Sequence, residues 1–181
     1  MNTVEPIKDP EVIKDVENYL RQKSDRDALL FLYGIYSGFR ISDILPMRVR
    51  DVKGKEVFVV REQKRGKLRN IPIHKNLKRE LDKYVRERKD YEVLFKSRKG
   101  TNKPITRQQA YRILNDAGKK FGLALVGTHT MRKTFGYHLY QQTKDIVLVQ
   151  EVLGHSSPEI TKRYIGLTQQ SINDAIRRLS F

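Results

Sequence analysis

A chain of 181 residues that carries 37 Lys and Arg against 21 Asp and Glu has a formal charge of +16, a balance that points to a polyanionic partner, nucleic acid before membrane. The length suits one domain with a core of its own. The absence of cysteine excludes disulfides and thiolate metal sites. The apolar run from Ala28 to Tyr33 is far too short to span a bilayer, and the first residues lack a signal-peptide core, so a soluble cytoplasmic protein is expected.

Asp9-Pro10, followed by Val12, Ile13, Val16 and Leu20, predicts an amphipathic helix with proline in its first turn. Ser24 or Asp25 can cap a second helix, apolar enough to be core, that stops near Gly38. A short helix begins around Ile41 and is disturbed by Pro46. The period then changes: residues 56–61 and 67–73 read as two strands with Arg65-Gly66 between them, a hairpin with a basic tip. Residues 75–89 return to helix, with Leu77, Leu81, Tyr84 and Val85 on one face.

Val93-Leu94-Phe95 reads as a short buried piece. Thr106 and Thr128 are read as caps of two further helices, the second with Met131, Phe135 and Leu139 in one stripe. Asp145 starts a short helix that ends at Gly154, and Ser157-Pro158 opens the next. Ile172, Ala175, Ile176 and Leu179 make a last amphipathic face. The expected architecture is mainly α with one small antiparallel β-sheet (α+β).

Four local groups carry reactive side chains. Arg40 follows Gly38-Phe39 at a helix start, where guanidinium and helix amides can face one anion, and Asp43 stands three residues on, placed to support it. Alone, the two read as a surface pair worth a few tenths of a kcal/mol. His129 and Arg132 also stand three apart, a proton-exchanging group beside a fixed charge. His155 follows Leu153-Gly154, and Tyr164 lies nine residues beyond it. Lys64, Arg65, Lys67 and Arg69 line the hairpin: Lys64 could donate a proton to a leaving oxygen, and the others suit backbone phosphates. A phenol with two arginines and two histidines is what covalent attack on a phosphodiester needs without a metal.

Assembled, these boxes resemble the catalytic domain of the tyrosine recombinase (phage integrase) family. Gly38-Phe39-Arg40-Ile41-Ser42-Asp43 is similar to the family's first box, Lys64 to its hairpin lysine, His129-Thr130-Met131-Arg132 to its His-x-x-Arg box, and Leu153-Gly154-His155 to its Leu-Gly-His box. Tyr164 falls at the nucleophile's place. The resemblance implies a site-specific DNA recombinase of prokaryotic or mobile-element origin, acting near the nucleoid on double-stranded DNA as a homotetramer on paired sites. In its chemistry Tyr164 forms a 3′-phosphotyrosine, Arg40 and Arg132 clamp the phosphate, and His129 helps take the tyrosine proton. His155 hydrogen-bonds the phosphate, and Lys64 protonates the departing 5′-oxygen. No metal, ATP or other cofactor is implied. Residues 1–181 read as the single catalytic domain, without the family's N-terminal DNA-binding domain. Two other readings stay open: a type IB topoisomerase, against which His129 speaks, and a non-catalytic DNA-binding accessory protein.

Overall fold

The computed structural model describes residues 4–61, 68–124, 126–168, 173 and 176–180. It is mainly helical, with one two-stranded antiparallel sheet. Helix α1 (Pro10–Lys23) has Asp9 as its cap, the carboxylate accepting from the Glu11 N–H at 2.9 Å, and buries Val16 and Leu20. Helix α2 (Asp25–Ser37) is the central element: every residue from Asp27 to Ile35 is buried. It ends in Gly38 with φ 64°, the left-handed turn that favours glycine. That turn aims Phe39 inward and leaves Arg40 exposed at the start of α3 (Ile41–Ile44).

After a 3-10 turn (Val49–Asp51), strands β1 (Val57–Arg61) and β2 (Leu68–Pro72) pair with Val57 opposite Pro72 and Arg61 opposite Leu68. Helix α4 (Lys75–Val85) is four residues shorter than its periodicity predicts. The chain turns at Arg88, whose guanidinium donates to the carbonyls of Leu94 and Val93 at 2.8 and 2.7 Å, and residues 86–89 leave the helix to make that contact. Helix α5 (Arg107–Lys120) has the expected cap: Thr106 Oγ1 accepts from Gln109 N–H while Gln109 reaches back to Thr106 N–H. In α6 (Thr128–Thr143) the cap is Gly127, not Thr128. The Gly127 N–H donates to Thr130 Oγ1 at 3.0 Å, so the threonine that serves this helix start lies inside the first turn. Helices α7 (Ile146–Leu153) and α8 (Pro158–Tyr164) begin at Asp145 and Ser157 as expected. Of the last amphipathic face, Ile172 and Ala175 lie outside the described residues, and Ile176 and Leu179 are exposed.

Two apolar cores result. The larger joins α1 to α5, β1 and Met131 of α6; the smaller is Val149, Leu153 and Ile165, with Phe135, Leu139 and Tyr164 packed against it. Helix α6 belongs to both and holds them together. Its approach to α2 is close because Gly34 has no side chain: a Cβ there would lie 2.4 Å from Met131 Sδ and 2.7 Å from Met131 Cβ. A contact with Met131 Cβ cannot be relieved by a rotamer change. Gly34→Ala is therefore expected to push α6 off α2 and to cost about 1–3 kcal/mol, measured as a fall in the urea midpoint. Because Arg132 follows Met131, that variant loses site geometry along with stability.

The segment before α1 lies along α6. Ile7 is buried, its N–H donates to Thr134 Oγ1 and its carbonyl accepts from His138 Nε2, both at 2.9 Å. His138, which has no role in the sequence reading, thus fastens this segment.

Candidate active site

Arg132 is the junction of the site. It is 6% exposed. One Nη donates to the Gly38 carbonyl at 2.6 Å and the other to the Leu153 carbonyl. Those carbonyls close α2 and α7, where each helix leaves C=O groups without partners inside the helix. A single guanidinium therefore pins together the Arg40 turn, α6 and the His155 turn. A guanidinium has five N–H donors, so the two carbonyls leave others to face Tyr164 and an incoming anion. Burial works against its charge and Arg40 adds to that, while Tyr164 and Asp43 favour it.

Arg40 is exposed, and no hydrogen bond or ion pair holds its side chain among the described residues. Asp43 was expected to orient Arg40, but no ion pair joins them; Asp43 acts instead on the Arg132 charge. His129 and Arg132 both lie in the first turns of α6, three residues apart, but differ in exposure. His129 is exposed while Arg132 is buried, so the pair divides between the mouth and the floor of the site. Although the residue is exposed, desolvation by the protein around its ring first, then Arg107, Arg132, Lys133 and Arg40, lower the His129 pKa.

His155 is half-buried. Its Nδ1 is paired with Thr161 Oγ1 at 3.0 Å, which leaves Nε2 as the free ring nitrogen. Its ring meets the Tyr164 ring edge-on, with centroids 4.8 Å apart. Burial, then Arg132 and Arg40, push its pKa down to about 4. The native state thus excludes a proton that the unfolded chain binds below about pH 6.5. Stability is expected to fall as pH drops from about 6.5 to about 4. His155→Gln removes this sensitivity, read as a flatter plot of melting temperature against pH over that window.

Among the described residues the Tyr164 hydroxyl is buried without a hydrogen bond of good geometry, and the Arg132 guanidinium is the nearby donor that acts on it. An unpaired buried hydroxyl costs about 1–3 kcal/mol and calls for an explanation. Burial raises its pKa, while the Arg132 and Arg40 charges pull it back down.

Four of the six expected catalytic residues, Arg40, Arg132, His155 and Tyr164, act on one another's charge here, and His129 feels both arginines. Lys64, Arg65 and Lys67 lie outside the described residues, and Arg69 is placed by its backbone alone, in β2. Two residues were missed. Thr161, fully buried in α8, orients His155. Lys133, buried in α6, stands over the Tyr164 ring. An inward-facing polar residue six positions after His155 was the only hint of the first.

The family described as the phage integrase family matches residues 9–171. A Bacillus subtilis protein described as "Probable integrase/recombinase YoeC" is 50% identical, over 98% of this chain and 97% of its own length. "Tyrosine recombinase XerA" of Pyrococcus furiosus is 33% identical over 93% of this chain, which spans only 59% of that relative. Among solved structures, that of XerA recombinase matches the whole chain with a TM-score of 0.77 at 21% identity, over 68% of its own length. The catalytic domain of bacteriophage HP1 integrase matches 97% of this chain, and 95% of its own, with a TM-score of 0.62 at 18% identity. At these identities the two structures establish the fold.

Proposed function

The chain belongs to the phage integrase family, and from that premise we propose that it cleaves and rejoins DNA strands at specific sites through a 3′-phosphotyrosine bond on Tyr164. The observation that carries this is the buried Tyr164 hydroxyl, without a well-formed hydrogen bond among the described residues and within the field of two arginines. Such a group is poorly used as a structural tyrosine and well placed as a nucleophile that meets its partner only when a phosphodiester enters.

In this reading Arg40 and the free N–H groups of Arg132 hold the non-bridging oxygens and stabilise the charge that builds on them. His129 helps take the phenolic proton as the Tyr164 oxygen bonds to phosphorus. Its lowered pKa keeps it in the neutral, accepting form near pH 7. His155, with Nδ1 occupied by Thr161, turns Nε2 to the phosphate. The bond from phosphorus to the 5′-oxygen breaks, and Lys64 gives that oxygen its proton. A second strand's 5′-hydroxyl reverses the steps. The energy of the broken ester is kept in the phosphotyrosine, so ATP is not consumed, and the positive charge comes from side chains in place of a metal.

Double-stranded DNA is the proposed partner, held by Arg65, Lys67 and Arg69 beyond the site. Tetramer formation on paired sites is proposed with it. "XerH site-specific recombinase" has been solved on its palindromic difH substrate in a post-cleavage complex, with a TM-score of 0.72 to this chain at 20% identity. No helix among the described residues is long and apolar enough to cross a membrane.

The test is covalent trapping on a nicked suicide substrate in excess EDTA. An adduct that maps to the peptide holding Tyr164 is the expected result, and loss of the adduct on chelation overturns the metal-free chemistry. A substrate with sulfur at the bridging 5′ position needs no proton on its leaving group. It is expected to rescue Lys64→Ala and not Lys67→Ala.

A further inference from the structure

Lys133 is a buried cation that the proposed chemistry does not use. Its side chain is 6% exposed. Long cationic side chains near a surface normally bury the stem and send the head to water. Lys133 keeps its head inside: Nζ stands 5.2 Å from the centroid of the Tyr164 ring. No hydrogen bond or ion pair to it is found among the described residues. Burial pushes its pKa down, and Glu5 holds it up. Glu5 comes from the segment fastened to α6 through Ile7, and its carboxylate lies beside Gly166, two residues past Tyr164.

The groups around the phenol therefore divide by position. Arg132 and Arg40 act on the hydroxyl, His155 meets the ring edge, and Lys133 faces the ring. Around Lys133 itself stand Tyr164 of α8, His129 of its own helix and Glu5 of the N-terminal segment.

We propose that Lys133 is a positioning residue for Tyr164: its ammonium holds the ring in its buried place and stabilises the negative charge that spreads into the ring as the hydroxyl loses its proton. The proposal rests on Tyr164 being the nucleophile. A cation over an aromatic face is attracted by the ring's electron density. A phenolate ring carries far more of that density than a phenol ring, so the attraction grows along the path to attack. It falls again once the oxygen is bonded to phosphorus, when the ring is neutral. Only an interaction stronger in passage than at either end speeds the step.

The experiment uses the full chain with its tyrosines replaced by fluorinated tyrosine, whose phenol ionises at lower pH, and follows fluorine resonances through a pH titration. The resonance missing from Tyr164→Phe belongs to Tyr164. In Lys133→Met, which keeps the length of the stem, the Tyr164 midpoint is expected to rise by roughly half a unit to one unit. Lys133→Arg, which keeps the charge, is expected to restore it. On a nicked suicide substrate the adduct rate of Lys133→Met should fall about three- to tenfold at neutral pH, with the deficit narrowing as pH rises. A midpoint that stays put or falls in Lys133→Met overturns the proposal and leaves Lys133 as packing between α6 and α8. So does an undiminished adduct rate in that variant. If the midpoint rises but the unsubstituted chain forms no adduct, the ring contact stands and the nucleophile reading fails.

Discussion

Tyr164→Phe is expected to bind DNA like the unsubstituted chain, to form no covalent adduct, and to be the more stable protein. The first two results follow from losing one oxygen atom while keeping the ring. The ring packs on the smaller core, stands edge-on to His155 and lies beneath Lys133. None of those contacts needs the hydroxyl. The third result follows from its burial without a hydrogen bond of good geometry among the described residues, Arg132 being near but poorly aligned. Removing a buried polar atom that has no well-formed hydrogen bond relieves a desolvation cost of about 1–3 kcal/mol. A rise in melting temperature alongside complete loss of adduct is the signature of a group held for function at the expense of the fold. A fall in melting temperature would mean that the hydroxyl is satisfied in solution. An adduct that persists in Tyr164→Phe, on the same peptide, would falsify the assignment of the nucleophile.

How much of this was legible beforehand depends on the range of the interaction. Helix starts at Asp9, Thr106, Asp145 and Ser157 are written within three residues, and each helix begins where it was read, with the side chain of that residue as its cap. The stop at Gly38 is local too, since a left-handed residue ends the helix there. The end of α4 was misplaced because its cause is the reach of Arg88 to carbonyls five and six residues on, which periodicity does not register. The site shows the same division. Motif spacing named Arg40, His129, Arg132, His155 and Tyr164, but it did not distinguish the exposure of His129 from that of Arg132. The fold buries only the arginine, because its partners are carbonyls 94 and 21 residues away in sequence. Asp43 was matched to Arg40, with which it forms no ion pair, and its charge is felt by Arg132. Lys133 carried no signal at all: a lysine in a basic chain reads as surface until a tertiary contact turns it inward.

The two arginines separate by their expected cost to the fold. The Arg40 side chain is exposed and makes no hydrogen bond or ion pair among the described residues, and only its carbonyl is used, at the start of α3. Arg40→Ala should leave the melting curve almost unchanged, within about half a kcal/mol, while the adduct rate falls by a hundredfold or more, on the scale of losing one preorganised donor. Arg132→Ala removes the same charge from the phosphate and also strips the Gly38 and Leu153 carbonyls of their shared donor. Losing two charge-assisted hydrogen bonds at a buried site costs about 3–5 kcal/mol, enough to unfold a marginal domain at 37 °C. Arg132→Lys is the sharper probe. An ammonium on a shorter, single-pointed head can satisfy one carbonyl but cannot bridge two helix ends and still present donors to an anion. It should recover part of the stability and little of the rate. If Arg132→Lys restored adduct formation to the level of the unsubstituted chain, the bridging of α2 and α7 would be incidental to the chemistry. If Arg132→Ala melted like Arg40→Ala, the guanidinium would not be the strut that joins the three loops of the site.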